Sequence, residues 1–264
     1  MEALIFRIAL TGILLAITAA PMGCFMMWQR MAFYGAAIAH ASILGLAIAS
    51  IMGINLQIGL VVAAVSFAFV IKALQNYAPT NLDTQLSIVS HSMLAIGLVL
   101  LSVYSQNQIN LMQFLFGDIL SINYQDTVLI AATSIIIIIL TSRYFKPLLL
   151  ATISAEIAQA EGLNVNRLHL GFLVALALFV SISIQVIGLL LVMAILIIPP
   201  AASKAFSKSP STMIFIAGLI GSVCVLIGIA ASWFYDVPAG PAIVVAAFVV
   251  YLLSIAKIKL LPSL

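Results

Sequence analysis

Charge is so sparse along this chain that it acts as punctuation. Uncharged stretches run from Ile8 to Gln29, Met31 to Ile71, Thr84 to Gly117, Thr127 to Ser142, Leu168 to Ser203, Ser209 to Tyr235 and Val237 to Ala256. A soluble domain carries about 25% charged residues. Here 6% are charged and 65% are hydrophobic, too little polar side chain to cover a soluble surface. Disorder is excluded as well, because it needs low hydrophobicity and high net charge. The expected class is an all-α polytopic membrane protein.

A helix needs about 20 apolar residues to cross the hydrocarbon core. Met31–Ile71 has room for two crossings, with Gly53, Asn55 and Gln57 as the turn. Leu168–Ser203 has room for two as well, with Gln185 and Gly188 at its hairpin. The predicted spans are 5–28, 35–52, 56–77, 86–104, 127–145, 168–185, 187–203, 213–233 and 239–256. That is nine, or eight if a short hairpin fails to span, all in a single transmembrane domain over 1–264. The first span has no small-residue cleavage site behind it and reads as retained rather than as a signal peptide.

The positive-inside rule tests the orientation. With the N-terminus outside, the inside loops hold Arg30, Lys72, Arg143, Lys146, Arg167, Lys204, Lys208, Lys257 and Lys259, nine of the ten basic residues. Only Arg7 falls outside. The C-terminus is then cytoplasmic. If 168–203 crossed once, Lys204 and Lys208 would break the rule.

Two loops depart from simple connections. In the outer loop, 105–126, polar Ser105–Asn110 is followed by the apolar run Leu111–Leu120. That run is too short to span and reads as a short helix at the outer face, ending near Gly117 and Asp118. The inner loop, 147–167, is expected to start where Pro147 stops the preceding span. Ser154 suits an N-cap, with Ile157 at capping-box spacing but lacking the Glu. Glu156 suits the first turn and Gly162 a C-terminal stop. With Glu161 these residues outline a short cytoplasmic helix, a docking element for a partner.

The chain has three histidines. His40 and His91 each lie about five residues into their spans from the inside, roughly 8 Å deep at 1.5 Å per residue. At matched depth on two spans they could face one another, and neutral imidazole is a ligand for zinc and other transition metals. Asp83 lies two helical turns below His91, near the inner mouth. His169 reads as an interfacial residue. Asp118, Asp126 and Asp236 give the outer face carboxylates that would attract cations. Asp236 could equally cap the last span. Pro199 and Pro200 free backbone carbonyls near the inner end of the seventh span. Cys24 and Cys224 are two and far apart, which suggests neither a disulfide framework nor a structural zinc site. No HExxH, GxSG or Walker A element is present, so neither peptide nor nucleotide cleavage is expected. Nor is a permanently bound cofactor or a nucleic-acid partner.

Several blocks together resemble the permease subunits of metal-type ABC importers, and within them the zinc-uptake branch. They are Ala20-Pro21-Met22-Gly23-Cys24-Phe25 with Trp28-Gln29-Arg30-Met31; Ala39-His40-Ala41-Ser42-Ile43-Leu44-Gly45; Leu82-Asp83-Thr84 with Ser90-His91-Ser92; Leu115-Phe116-Gly117-Asp118; Gly188 to Ala202; and Asp236-Val237-Pro238-Ala239-Gly240-Pro241. The resemblance implies a type II ABC importer-like fold in a bacterial inner membrane. It implies a homodimer with a pathway on the twofold axis, ATP-hydrolysing subunits docked at the 147–167 loop and a periplasmic metal-binding protein. His40 and Asp118 match positions typical of the family, and His91 resembles the zinc branch. One departure stands out. The family usually has Gly-Asp-x-x-x-His, whereas here Gly35 is followed by Ala36, so the carboxylate that the resemblance implies as ligand or proton acceptor one turn from His40 is absent.

The first reading is therefore an ATP-driven importer permease for zinc as transported cargo. The alternatives are a proton-coupled secondary transporter using His40, His91 and Asp83 as a relay, and an ABC permease for manganese, iron or iron chelates. The docking loop and the lack of a clear internal repeat favour the importer over a secondary carrier.

Overall fold

The structure, a computed structural model, describes residues 2–77, 81–104, 117 and 122–260. The described residues are helical throughout, with no strand among them. The helices are α1 (Glu2–Trp28), α2 (Tyr34–Met52), α3 (Leu56–Tyr77), α4 (Leu82–Tyr104), α5 (Tyr124–Arg143), α6 (Phe145–Ile153), α7 (Ala155–Ala160), α8 (Val165–Ile187), α9 (Leu189–Ser203), α10 (Pro210–Tyr235) and α11 (Ala239–Leu260). A 3-10 turn, Lys204–Phe206, joins α9 to α10. Among the described residues nine helices are long and apolar enough to cross a membrane. They are the nine expected spans, with ends shifted by a few residues. In hydrocarbon a helix is one of the few structures that satisfies every backbone group internally, so long apolar runs fold this way.

The turns follow the chemistry of their residues. Gly53 closes α2 in the left-handed region, φ 64°, and its N–H bonds Ala49 O. Gly188, φ 79°, separates α8 from α9 at the expected hairpin. Pro147 departs from expectation. The preceding span ends at Arg143, and Pro147 lies in the first turn of a separate helix, α6. The first turn of a helix has no use for its N–H groups, so proline is tolerated there rather than acting as a stop. The expected short helix at Leu111–Leu120 lies outside the described residues.

The chain packs as two compact units. One comprises 1–30, 112–141 and 186–264, and is built on α1, α5, α9, α10 and α11. In it α1 packs on α9 and α10, and α11 packs on both of those. Small residues let the backbones meet. A Cβ at Gly23 would overlap the Leu196 carbonyl of α9, and one at Gly228 would overlap the backbone of Ile243 in α11. α9 continues as a helix through Pro199 and Pro200, both buried.

The second unit comprises 31–111 and 142–185. Here α2 is the core helix, packed against α3 and α4. A Cβ at Gly45 would overlap the Gly59 carbonyl of α3, and a Cβ at Gly97 of α4 would come within 2.8 Å of the Leu44 backbone nitrogen. Glycine at these crossings therefore brings α2 close to both neighbours. Tyr34 is fully buried, and its hydroxyl donates to the Leu173 carbonyl at 3.4 Å. By contrast, α4 buries only Gln85, Leu86, Ser90 and Gly97.

Candidate functional site

The close approach of α2 and α4 follows from the small residues flanking the histidine (Gly35, Ala37, Ala39, Ala41, Ser42 and Gly45). That approach brings His40 and His91 together. Their ring centroids are 5.4 Å apart and the planes meet edge-to-face at 68°. His91 Nδ1 lies 2.8 Å from the Ser87 carbonyl, one turn earlier. A carbonyl can only accept, so Nδ1 carries a proton, and the tautomer with its one proton there has the Nε2 lone pair free for a ligand. Ser90 Oγ lies 3.5 Å from the same Nδ1. A hydrogen bond of this kind on the far nitrogen orients metal-binding histidines.

His40 is held differently. The residue is half-buried, and its Nδ1 is buried without a hydrogen-bond partner among the described residues. The residue one turn earlier is Ala36, whose methyl can neither donate nor accept. Buried polar atoms are nearly always paired, so an orphaned imidazole nitrogen marks a place where a partner is missing or supplied by cargo.

Sequence reasoning missed the third ring. Phe33, just before α2, stacks on His91 with centroids 6.3 Å apart and planes 7° from parallel. Its only signal was its place next to the small-residue start of α2. The Ser87 carbonyl was legible in principle, because it lies four residues before His91 on a helix.

The remaining site residues do not join the pair. Asp83 is exposed in the first turn of α4, about 12 Å along the helix from His91 at 1.5 Å per residue. Asp236 belongs to the other unit. It ends α10 in the left-handed region, φ 53°, a conformation Asp tolerates better than most residues, and does not open α11. Asp118 lies outside the described residues. Asp126 accepts from the Asn123 N–H at 3.2 Å and so caps α5. His169 is half-buried in the second turn of α8. Among the described residues, no group of three His, Cys, Asp or Glu converges as a closed metal cage would require.

Within the 147–167 loop, the short helix expected after Ser154 forms as α7. Ser154 Oγ accepts from the Ile157 N–H at 3.3 Å, capping α7, with Glu156 in its first turn. At the other end Glu161 is the C-cap, and Gly162 has φ 80°. The Gly162 N–H bonds Gln159 O at 2.9 Å and the Leu163 N–H bonds Ala158 O at 3.0 Å. These two bonds form a Schellman ending. Lys72 of α3 then donates to Asn166 Oδ1 in the first turn of α8 at 3.1 Å, and lies 3.4 Å from Gln75 Oε1.

Residues 1–258 match the ABC 3 transport family. The chain belongs to that family. It is 33% identical to the high-affinity zinc uptake system membrane protein ZnuB of Haemophilus influenzae, over 97% of this chain and 98% of the relative. It is 31% identical to the manganese import system permease protein ScaB of Streptococcus gordonii, over 93% of this chain and 88% of the relative. Among solved structures it is similar to a chain of PsaBC from Streptococcus pneumoniae in complex with Fab. The TM-score is 0.82 at 31% identity, covering 94% of this chain and 89% of that one. The all-α polytopic fold is therefore that of an ABC 3 family permease, and the His40–His91 pair lies inside one of its helical units.

Proposed function

We propose that this ABC 3 family chain is the membrane permease of an ATP-driven importer that carries a divalent metal, zinc above all, from periplasm to cytoplasm. One observation carries the reading. Two imidazoles from separate spans meet, and one of them has its Nε2 lone pair directed away from the hydrogen bond that orients it. Imidazole suits zinc, iron and copper, whereas manganese favours carboxylate and carbonyl oxygen. The relative named for zinc uptake supports zinc, and the relative named for manganese import supports the alternative.

Two nitrogen ligands leave coordination positions for water. A site that must release its cargo works better with few ligands than with a closed tetrahedral cage. Asp118 and Asp236 attract the cation at the outer mouth, and Asp83 receives it at the inner one. The whole chain, 1–264, acts as a single permease domain and catalyses no reaction itself. Two copies line the pathway, with the N-terminus periplasmic and the C-terminus cytoplasmic. A periplasmic binding protein delivers the metal. ATP-binding subunits dock on α7 through the surface that Ser154, Glu156, Glu161 and Gly162 shape.

The test is metal uptake by the reconstituted complex with zinc, manganese and iron in competition. His91→Ala should abolish zinc uptake with the complex still assembled. Wild-type zinc uptake by that variant would remove the ligand role. Zinc movement by the purified chain alone, down a proton gradient, would overturn the importer reading.

A further inference from the structure

A groove outside the histidine pair runs along α10 in the other helical unit. Its volume is about 410 Å³, and Ile17 of α1 with Ile214, Phe215, Gly218 and Leu219 of α10 forms its walls. Phe215 and Leu219 are 73% and 56% exposed, so the groove opens sideways from a membrane-crossing helix. Ser211 and Ser222 stand at its two ends. Neither hydroxyl calls for a polar ligand. Ser222 Oγ donates to the Gly218 carbonyl at 2.8 Å, and Ser211 Oγ is bonded to Ser209 Oγ at 3.3 Å. The groove therefore suits an apolar occupant.

Length and charge say which one. Ser211 to Ser222 spans about 16 Å at 1.5 Å per residue, about half of a hydrocarbon core roughly 30 Å thick. That is the depth of one leaflet. Lys208 lies three residues before Ser211 in the chain and Lys204 seven before it, and both are exposed. Lys257 Nζ lies 4.1 Å over the ring of Phe206, between those two lysines in sequence. No Asp or Glu occurs between Arg167 and Asp236 to offset them. An apolar slot one leaflet deep, with uncompensated cations at one mouth, has the polarity of a single phospholipid.

We propose that this groove is a phospholipid site, in which an acyl chain lies between Ile17 and Phe215 and an anionic headgroup meets Lys204 and Lys208. The claim is independent of the metal and of the direction of transport. It is tested with the full chain in nanodiscs of phosphatidylcholine containing phosphatidylglycerol, counting by native mass spectrometry the lipid retained after mild delipidation.

Each basic residue near an anionic surface contributes an attraction that corresponds to about fivefold in binding. Lys204→Ala and Lys208→Ala should each lower retained phosphatidylglycerol about fivefold and leave phosphatidylcholine unchanged. Gly218→Leu should displace both lipids by filling the groove. A Cβ at position 218 meets only Ala20 Cβ at 3.6 Å and Ile17 Cα at 3.9 Å, so the backbone tolerates the change. Unchanged phosphatidylglycerol selectivity in the double lysine variant overturns the proposal, whether or not Gly218→Leu folds. So does efficient cross-linking of Phe215→Cys to a second copy, which would make the groove a protein interface.

Discussion

A single methyl added at position 23 should separate two helices that now meet backbone to backbone. Leu196 lies four residues before Pro200, so its carbonyl has no helical N–H to accept from. Gly23 of α1 lies against that carbonyl. With a Cβ at position 23, the methyl would overlap Leu196 O and come within 2.7 Å of Pro200 Cγ. A main-chain carbonyl and a proline ring cannot rotate aside, so α1 and α9 must part. Overpacking of this kind costs about 1–3 kcal/mol. The better helix propensity of alanine returns about 1 kcal/mol. The net expectation for Gly23→Ala is a loss of about 1 kcal/mol.

Gly218→Ala is the matched control, since its neighbours lie at 3.6 Å and 3.9 Å. It should be neutral or gain up to about 1 kcal/mol of helix propensity. Cys24 and Cys224 are both buried in the same unit as these glycines, so a thiol-reactive fluorogenic dye reports its thermal unfolding. The midpoints should fall in the order Gly218→Ala at or above wild type, with Gly23→Ala clearly below. If Gly23→Ala melts with Gly218→Ala, the argument that the freed Leu196 carbonyl requires a glycine is wrong.

Three further outcomes are expected. Ser154→Ala removes the cap on Ile157 N and costs α7 about 1 kcal/mol; in the reconstituted complex, transport per ATP hydrolysed should fall, and unchanged coupling would count against α7 as the dock. Lys72→Met breaks the 3.1 Å bond that ties α3 to the start of α8. It should weaken coupling while zinc binding by the purified permease stays intact, whereas lost zinc binding would place Lys72 in the metal pathway instead. Ala36→Asp puts a carboxylate one turn from His40, where Nδ1 now lacks a partner. Partners of ligating histidines change metal affinity about 10–100-fold, so chelator competition should show tighter zinc retention, and unchanged affinity would show that position 36 does not reach the ring.

The spans and the α7 segment were legible because they depend on local chemistry. The α7 loop could be read from Ser154 and Gly162 alone, since a cap and a left-handed C′ glycine act within one turn of their own backbone. Pro147 misled because proline is a breaker inside a helix and acceptable in its first turn, and the sequence does not say where the turn begins. The histidine pair was half legible. Two histidines at similar depth on two spans allow a meeting without requiring one, and Phe33 against His91 had no periodic signal at all.

The sequence by itself determined that this chain folds into long apolar helices, and where the nine candidate spans among the described residues start and end within a few residues. Charge scarcity and helix caps are properties of short stretches, and hydrocarbon leaves a chain few ways to satisfy its backbone. Only the tertiary structure decided which helices touch. The glycines of α2, α3 and α4 set close crossings whose angle and register depend on several helices at once. Those crossings bring His91 against His40, whose Nδ1 is left buried without a hydrogen-bond partner among the described residues. In the other unit the packing of α1 on α10 leaves a groove between Ile17 and Phe215.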